Sequence, residues 1–127
     1  RYDFGDVAEQ TPLLKMFTLG HQVNMVPIRA DGLRYHAAAP LVSALRATGL
    51  IGAVAYPADE RSVFEAARLF LQCEGWLIAP ESAYAVRASV DEALRAENKG
   101  EEKAILMNIS GHGFLDLEAY RDKLGVG

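Results

Sequence analysis

Ala104-Ile105-Leu106-Met107-Asn108-Ile109-Ser110-Gly111-His112-Gly113 is an apolar run that feeds a turn of small residues carrying one hydroxyl and one imidazole. That pattern predicts a strand over 104–109 with Ser110 to Gly113 at its carboxyl end, where a strand delivers a side chain and bare backbone to a ligand. Working outward, Gly52-Ala53-Val54-Ala55-Tyr56 is a second compact apolar run, stopped by Pro57. It is too short for a helix and lacks polar alternation, so a buried parallel strand is expected at 52–56. Trp76-Leu77-Ile78 is a third, shorter strand candidate.

Helices separate these runs. Pro40 can occupy a first helical position and Gly49 can end the helix, with Leu41, Val42 and Leu45 on one face, which predicts a helix over 40–48. Ser62 and Glu65 have capping-box spacing, Val63, Ala66, Ala67 and Phe70 share a face, and Gly75 supplies a left-handed stop. A helix is expected over 60–74. Pro80 opens the next, 80–98, whose stripe is Ala83, Val86, Val90, Ala93 and Leu94. Asp116 can cap a last helix along Leu117, Tyr120 and Leu124. Residues 1–40, punctuated by Pro12, Gly20, Pro27, Gly32 and Pro40, are expected to be loop-rich, with a brief helix between Leu13 and Leu19.

The expected fold class is therefore α/β, a three-layer arrangement around a parallel sheet. The 127 residues read as a single α/β domain or a fragment of one, with 1–40 irregular and 41–127 alternating helices and strands. The opening Arg1-Tyr2-Asp3-Phe4-Gly5-Asp6 carries no start signal and reads as a cut through a longer polypeptide.

Net charge −4 with thirteen scattered basic residues gives no electrostatic footprint for nucleic acid or an anionic membrane. No apolar run approaches the roughly 18 to 20 residues that span a bilayer. The single cysteine, Cys73, falls in a helical apolar pattern and is expected to be a buried thiol, which suits a reducing cytoplasm.

Several side chains could carry chemistry. Ser110 can make one neutral hydrogen bond at the strand end while Gly111 and Gly113 let a flat ring approach the backbone; the alternative is a plain strand-to-helix turn. His112 has no second ligand at metal-binding spacing, so it reads as an exposed turn histidine and no metal is assigned. Glu81 sits in the first turn of a helix, where the macrodipole favours an anion whether or not a ligand is near. Gly20-His21 and Gly32-Leu33-Arg34-Tyr35-His36 are polar clusters, either turns with solvated charge or site elements, with Arg34 to His36 the better candidate. The chain has no Gly-x-Gly-x-x-Gly, no Gly-x-Ser-x-Gly elbow and no glycine-rich phosphate cradle.

Five collinear strings carry a resemblance. Tyr2-Asp3-Phe4-Gly5-Asp6, Thr11-Pro12-Leu13-Leu14-Lys15-Met16-Phe17-Thr18-Leu19-Gly20-His21, Gly32-Leu33-Arg34-Tyr35-His36, Glu74-Gly75-Trp76-Leu77-Ile78-Ala79-Pro80-Glu81-Ser82 and Asn108-Ile109-Ser110-Gly111-His112-Gly113 resemble the C-terminal part of the TrpB-like, second type of tryptophan synthase β chain. That resemblance implies a fold-type II pyridoxal-phosphate lyase, which replaces the β-substituent of serine or phosphoserine with indole. It implies that Ser110 hydrogen-bonds the pyridine nitrogen of the cofactor, beside Gly111. A neutral hydroxyl leaves that nitrogen largely unprotonated and so restrains the ring as an electron sink. It further implies that Glu81 lies beside the ring as a catalytic residue. Arg34, where the first type of β chain has an aspartate, is expected to meet a substrate anion.

Tyr84 departs from the family pattern, which has histidine there, and Trp76 replaces a smaller aliphatic residue. The family's Schiff-base lysine and phosphate-binding glycine loop belong to a missing N-terminal half, and none of Lys15, Lys99, Lys103 or Lys123 matches that lysine. The chain alone is therefore expected to be inactive, to bind no cofactor and to self-associate through apolar surface as a homo-oligomer. The alternative is a stand-alone α/β interaction or regulatory domain that has lost the chemistry.

Overall fold

The computed structural model describes residues 1–57 and 59–125. It divides into two compact units, one formed by Arg1–Pro27 with Gly32–Ala55, the other by Ile28–Asp31 with the chain from Tyr56 onward.

In the first unit, β1 (Tyr2–Asp3) pairs antiparallel with β2 (Leu14–Lys15), Tyr2 opposite Lys15 and Asp3 opposite Leu14. The pairing extends to Arg1 and Met16, each donating its nitrogen to the other's carbonyl at 3.0 Å. Thr18 then bridges Ala37, so the segment expected as a brief helix between Leu13 and Leu19 is extended instead. Local apolar spacing is overridden there by backbone partners from residues 1–3 and 36–38. α1 (Pro40–Ala47) starts on Pro40 as expected. The buried Ser43 hydroxyl ties α1 to the strand-like run, accepting from the Phe17 amide and donating to the Ala38 carbonyl, both at 3.0 Å.

The second unit holds α2 (Arg61–Glu74), α3 (Pro80–Lys99) and α4 (Leu117–Leu124). The faces expected from their periodicity meet in one core: Val63, Phe64, Ala67 and Phe70 of α2 against Ala83 and Val86 of α3, with Ile78, Ala119 and Tyr120 closing it. The Phe64 and Tyr120 rings meet edge to face at 4.9 Å. Gly75 and Gly100 end α2 and α3 in the left-handed conformation that a residue with a Cβ adopts only under strain.

Among the described residues β1 and β2 make the sheet that is present, and it is antiparallel; the expected three-layer parallel sheet is not among them. Three expectations are corrected. The segments 52–56 and 104–109 are irregular, with Val54 75% exposed and Leu106 fully so. A strand takes its hydrogen bonds from neighbouring strands, and neither segment has one among the described residues. The expected capping box is not used: the N-cap of α2 is Glu60, in the left-handed region at φ 59°, and Glu65 instead pairs with Arg61 at 3.1 Å. Cys73 is exposed: the buried residues of α2 end at Phe70, and the last turn, 71–74, faces solvent. α4 begins after Asp116 as expected, although the Asp116 side chain makes no capping hydrogen bond.

Candidate functional site

The Ser110–Gly113 turn is built against the start of α3. Gly113 donates its amide to the Leu77 carbonyl at 2.9 Å, Ala79 donates to the Gly111 carbonyl at 3.3 Å, and Ile78 bridges His112. Trp76-Leu77-Ile78 is thus the strand-like element of this region, paired with the turn itself. Glycine is required twice. Gly111 has φ +77°, and a Cβ on Gly113 would lie 2.4 Å from the Ile78 carbonyl oxygen.

Ser82, in the first turn of α3, fixes the turn from the other side. Its hydroxyl donates to the Ser110 carbonyl at 2.6 Å and accepts from the Ser110 amide at 3.0 Å. Ser82 is 4% exposed while Ser110 is exposed, so both bonds are half-buried at the edge of the turn. Ser110 and Gly111 are exposed, and these backbone bonds leave the Ser110 side chain out of the clamp. Glu81, half-buried, precedes Ser82 on the same helical turn. The structure therefore brings Ser110, Gly111 and Glu81 to one place. Arg34 is exposed and belongs to the other unit. His112 is exposed, accepts the Phe114 amide at Nδ1 at 3.3 Å and lies against the Phe114 ring.

A buried carboxylate lies beneath α3. Glu60 is 0% exposed, and its Oε2 accepts the Arg29 amide at 2.6 Å with the Lys123 ammonium 3.4 Å away. Its Oε1 accepts the Ala30 amide and the Tyr84 hydroxyl, both at 3.1 Å. Burial, and then the Glu60 charge, push the Tyr84 phenol up to about 12, so it stays a neutral donor. Burial also raises the Tyr120 phenol, whose hydroxyl donates to the Ile78 carbonyl at 2.7 Å and so braces the strand-like element under the turn. Burial and the nearby Glu81 charge raise the Asp116 carboxyl.

Among the described residues no three His, Cys, Asp or Glu side chains converge on a metal position. No model of a protein family matches the chain. Individual proteins do. It is 55% identical over 120 residues to tryptophan synthase beta chain 2 of Methanosarcina mazei, an alignment covering 94% of this chain and 27% of that protein. It is 57% identical over 120 residues to tryptophan synthase beta chain 2 of Aquifex aeolicus, with the same coverage of each. With the tryptophan synthase beta chain of Pyrococcus horikoshii it shares 55% over 123 residues, 97% of this chain and 26% of that one. The chain belongs to the tryptophan synthase β-chain family. It spans about a quarter of the length of these relatives.

Tryptophan synthase β chains are pyridoxal-phosphate enzymes, and the turn fits the heterocycle of that group. It offers an exposed serine on a fixed backbone, followed by an exposed glycine whose left-handed conformation and close approach to Ala79, 3.2 Å from where its Cβ would stand, leave bare backbone at the surface. Tyr84, like the Arg29 and Ala30 amides, is a neutral donor to the buried Glu60 carboxylate.

Ser82 and Glu60 were not singled out by the sequence reading. Their partners lie 28 residues away for Ser82 and between 24 and 63 away for Glu60, so no local spacing signals them. In the first unit, Gly20-His21, expected as either a turn with solvated charge or a site element, is joined by two carboxylates that the sequence did not place beside it. His21 Nδ1 lies 2.6 Å from the Asp3 carboxylate and Nε2 lies 3.1 Å from Glu9. Asp3 also accepts the Thr18 hydroxyl and the Phe4 amide, at 2.5 and 2.9 Å. The Asp3 hydrogen bond holds the His21 imidazole above its usual range, and the Thr18 and His21 bonds hold Asp3 well below the usual carboxylate range. His36 is buried with Nε2 2.9 Å from the Phe4 carbonyl, so it serves the fold of this unit rather than standing as solvated charge.

Proposed function

We propose that this chain is the C-terminal part of a pyridoxal-phosphate lyase that joins serine, or phosphoserine, to indole to form tryptophan. The observation that carries the proposal is Ser110: an exposed serine whose amide and carbonyl are both held by Ser82, beside a left-handed glycine, in a chain 55% identical to tryptophan synthase β chains. Ser110 donates to the pyridine nitrogen, and Gly111 makes room for the ring. When bound, the cofactor supplies an electron sink for departure of the β-substituent. Glu81, on the turn of α3 that carries Ser82, faces the same group and adjusts charge beside it. Arg34 binds the anionic end of the substrate, and phosphoserine is the substrate that would use its charge most fully.

In this reading 52–56 and 104–109 are strands of the three-layer parallel sheet once the remaining polypeptide supplies their neighbours, and their exposed apolar side chains support it. The remaining polypeptide also supplies the Schiff-base lysine and the phosphate loop, so the 127-residue chain alone is inactive and binds no cofactor. The test is tryptophan formation by the full-length protein with pyridoxal phosphate, indole, and serine or phosphoserine. Turnover that falls in Ser110→Ala, and a preference for phosphoserine that falls in Arg34→Ala, are expected. Unchanged cofactor affinity and turnover in Ser110→Ala would overturn the proposal.

A further inference from the structure

We propose that Ser82 is the positioning residue for Ser110, acting on the cofactor only through it; this rests on the function proposed above. One hydroxyl both donates to the Ser110 carbonyl at 2.6 Å and accepts from the Ser110 amide at 3.0 Å. A residue held at its amide and its carbonyl by the same atom has its backbone rotation fixed, and the direction of its Cβ follows from that rotation. Ser82 is itself anchored, since its amide donates to the Ala79 carbonyl at 3.0 Å in the first turn of α3, and it is nearly inaccessible to water. The other bonds of the turn hold Gly111 and Gly113 through backbone groups of Leu77 and Ala79. Ser82 thus holds Ser110 by its side chain at both backbone groups.

A serine hydroxyl aimed in advance needs less ordering when the ring arrives. Losing the clamp releases two backbone groups at an exposed turn, where water replaces them. The expected result is therefore a loosely aimed Ser110 rather than an unfolded helix.

The experiment is a double-mutant cycle in the full-length protein, comparing Ser82→Ala, Ser110→Ala and both together. Three readouts are followed: amide exchange at residue 110 before cofactor is added, pyridoxal-phosphate affinity, and the nitrogen NMR shift of the labelled ring. Ser82→Ala is expected to speed exchange of the Ser110 amide and to weaken cofactor affinity, each about tenfold, and to move the ring-nitrogen signal toward its position in Ser110→Ala. In the Ser110→Ala background, Ser82→Ala is expected to change affinity and the ring signal by less than about twofold. Ser82→Cys, which keeps a weak donor, should fall between serine and alanine and serves if the alanine variant folds poorly. Equal effects of Ser82→Ala in both backgrounds would mean a purely structural role and would overturn the inference. An effect of Ser110→Ala without any of Ser82→Ala would overturn it while sparing the proposed function. If Ser110→Ala leaves the ring nitrogen unmoved, the proposed function fails, and this inference with it.

Discussion

Removing the Glu60 carboxylate should be among the most damaging single changes in the second unit. The side chain is fully buried and accepts from the Arg29 amide, the Ala30 amide and the Tyr84 hydroxyl, with Lys123 alongside. Glu60→Ala leaves three neutral donors without an acceptor, each costing about 1–3 kcal/mol if it stays dry. Lys123 is 23% exposed and also donates to the Asp59 carbonyl, so its ammonium keeps partners. Water entering the vacated volume relieves part of the sum, which brings the expected loss to about 3–5 kcal/mol.

Glu60→Gln separates charge from shape. The amide NH2 cannot sit at the Oε2 position, opposite the Arg29 amide and the Lys123 ammonium. It must take the Oε1 position, where the Tyr84 hydroxyl can turn to accept but the Ala30 amide cannot. One opposed donor pair remains, and a loss of about 1–3 kcal/mol is expected. Urea unfolding followed by circular dichroism gives the totals. Amide exchange at residues 29 and 30 locates the effect: Ala30 should exchange faster in both variants, and Arg29 mainly in Glu60→Ala. A loss under about 1 kcal/mol in Glu60→Ala, with both amides still protected, would refute the reasoning.

Three further outcomes follow from the same structure. Gly113→Ala places a Cβ 2.4 Å from the Ile78 carbonyl oxygen, so the turn must shift and stability should fall by about 1–3 kcal/mol in urea unfolding, whereas an unchanged midpoint would contradict the close approach. His21 is raised above its ordinary 6.5, so its contribution to the first unit is complete below pH 6.5 and is lost as pH rises through the higher folded value. Asp3 is lowered, so its contribution is present above 3.8 and is lost as pH falls through the depressed value. Local protection of residues 1–21 should therefore be greatest between 3.8 and 6.5, and an NMR titration of His21 with a midpoint below 6.5 would contradict this. The purified 127-residue chain, with Leu106 wholly and Leu115 almost wholly exposed, should self-associate in light scattering, and a monomer at high concentration would count against it.

Helices α1 to α4 were legible because their signals are local: Pro40 and Pro80 at first positions, Gly75 and Gly100 just past the ends, and apolar stripes of which Val63, Ala66, Ala67, Phe70, Ala83, Val86 and Tyr120 reach the core while Leu41, Val42, Leu94 and Leu117 stay exposed. The extended segments were misread for one reason in two guises. Residues 52–56 and 104–109 have strand composition without a partner among the described residues, and Leu14–Lys15 has partners that composition does not announce. Ser110, Gly111 and Glu81 stand in short motifs, and the turn that carries the first two packs on the first turn of α3, which carries the third. Ser82, Glu60 and the Asp3–His21–Glu9 cluster could not, since each depends on chain closure over 12 or more residues.

The most direct measurement is a crystal structure of the full-length protein with pyridoxal phosphate bound. The account predicts the Ser110 hydroxyl oxygen within about 2.6–3.2 Å of the pyridine nitrogen, with Ser82 still bonded to the Ser110 amide and carbonyl. A pyridine nitrogen paired with a carboxylate, or lying beyond about 4 Å from Ser110, would contradict it.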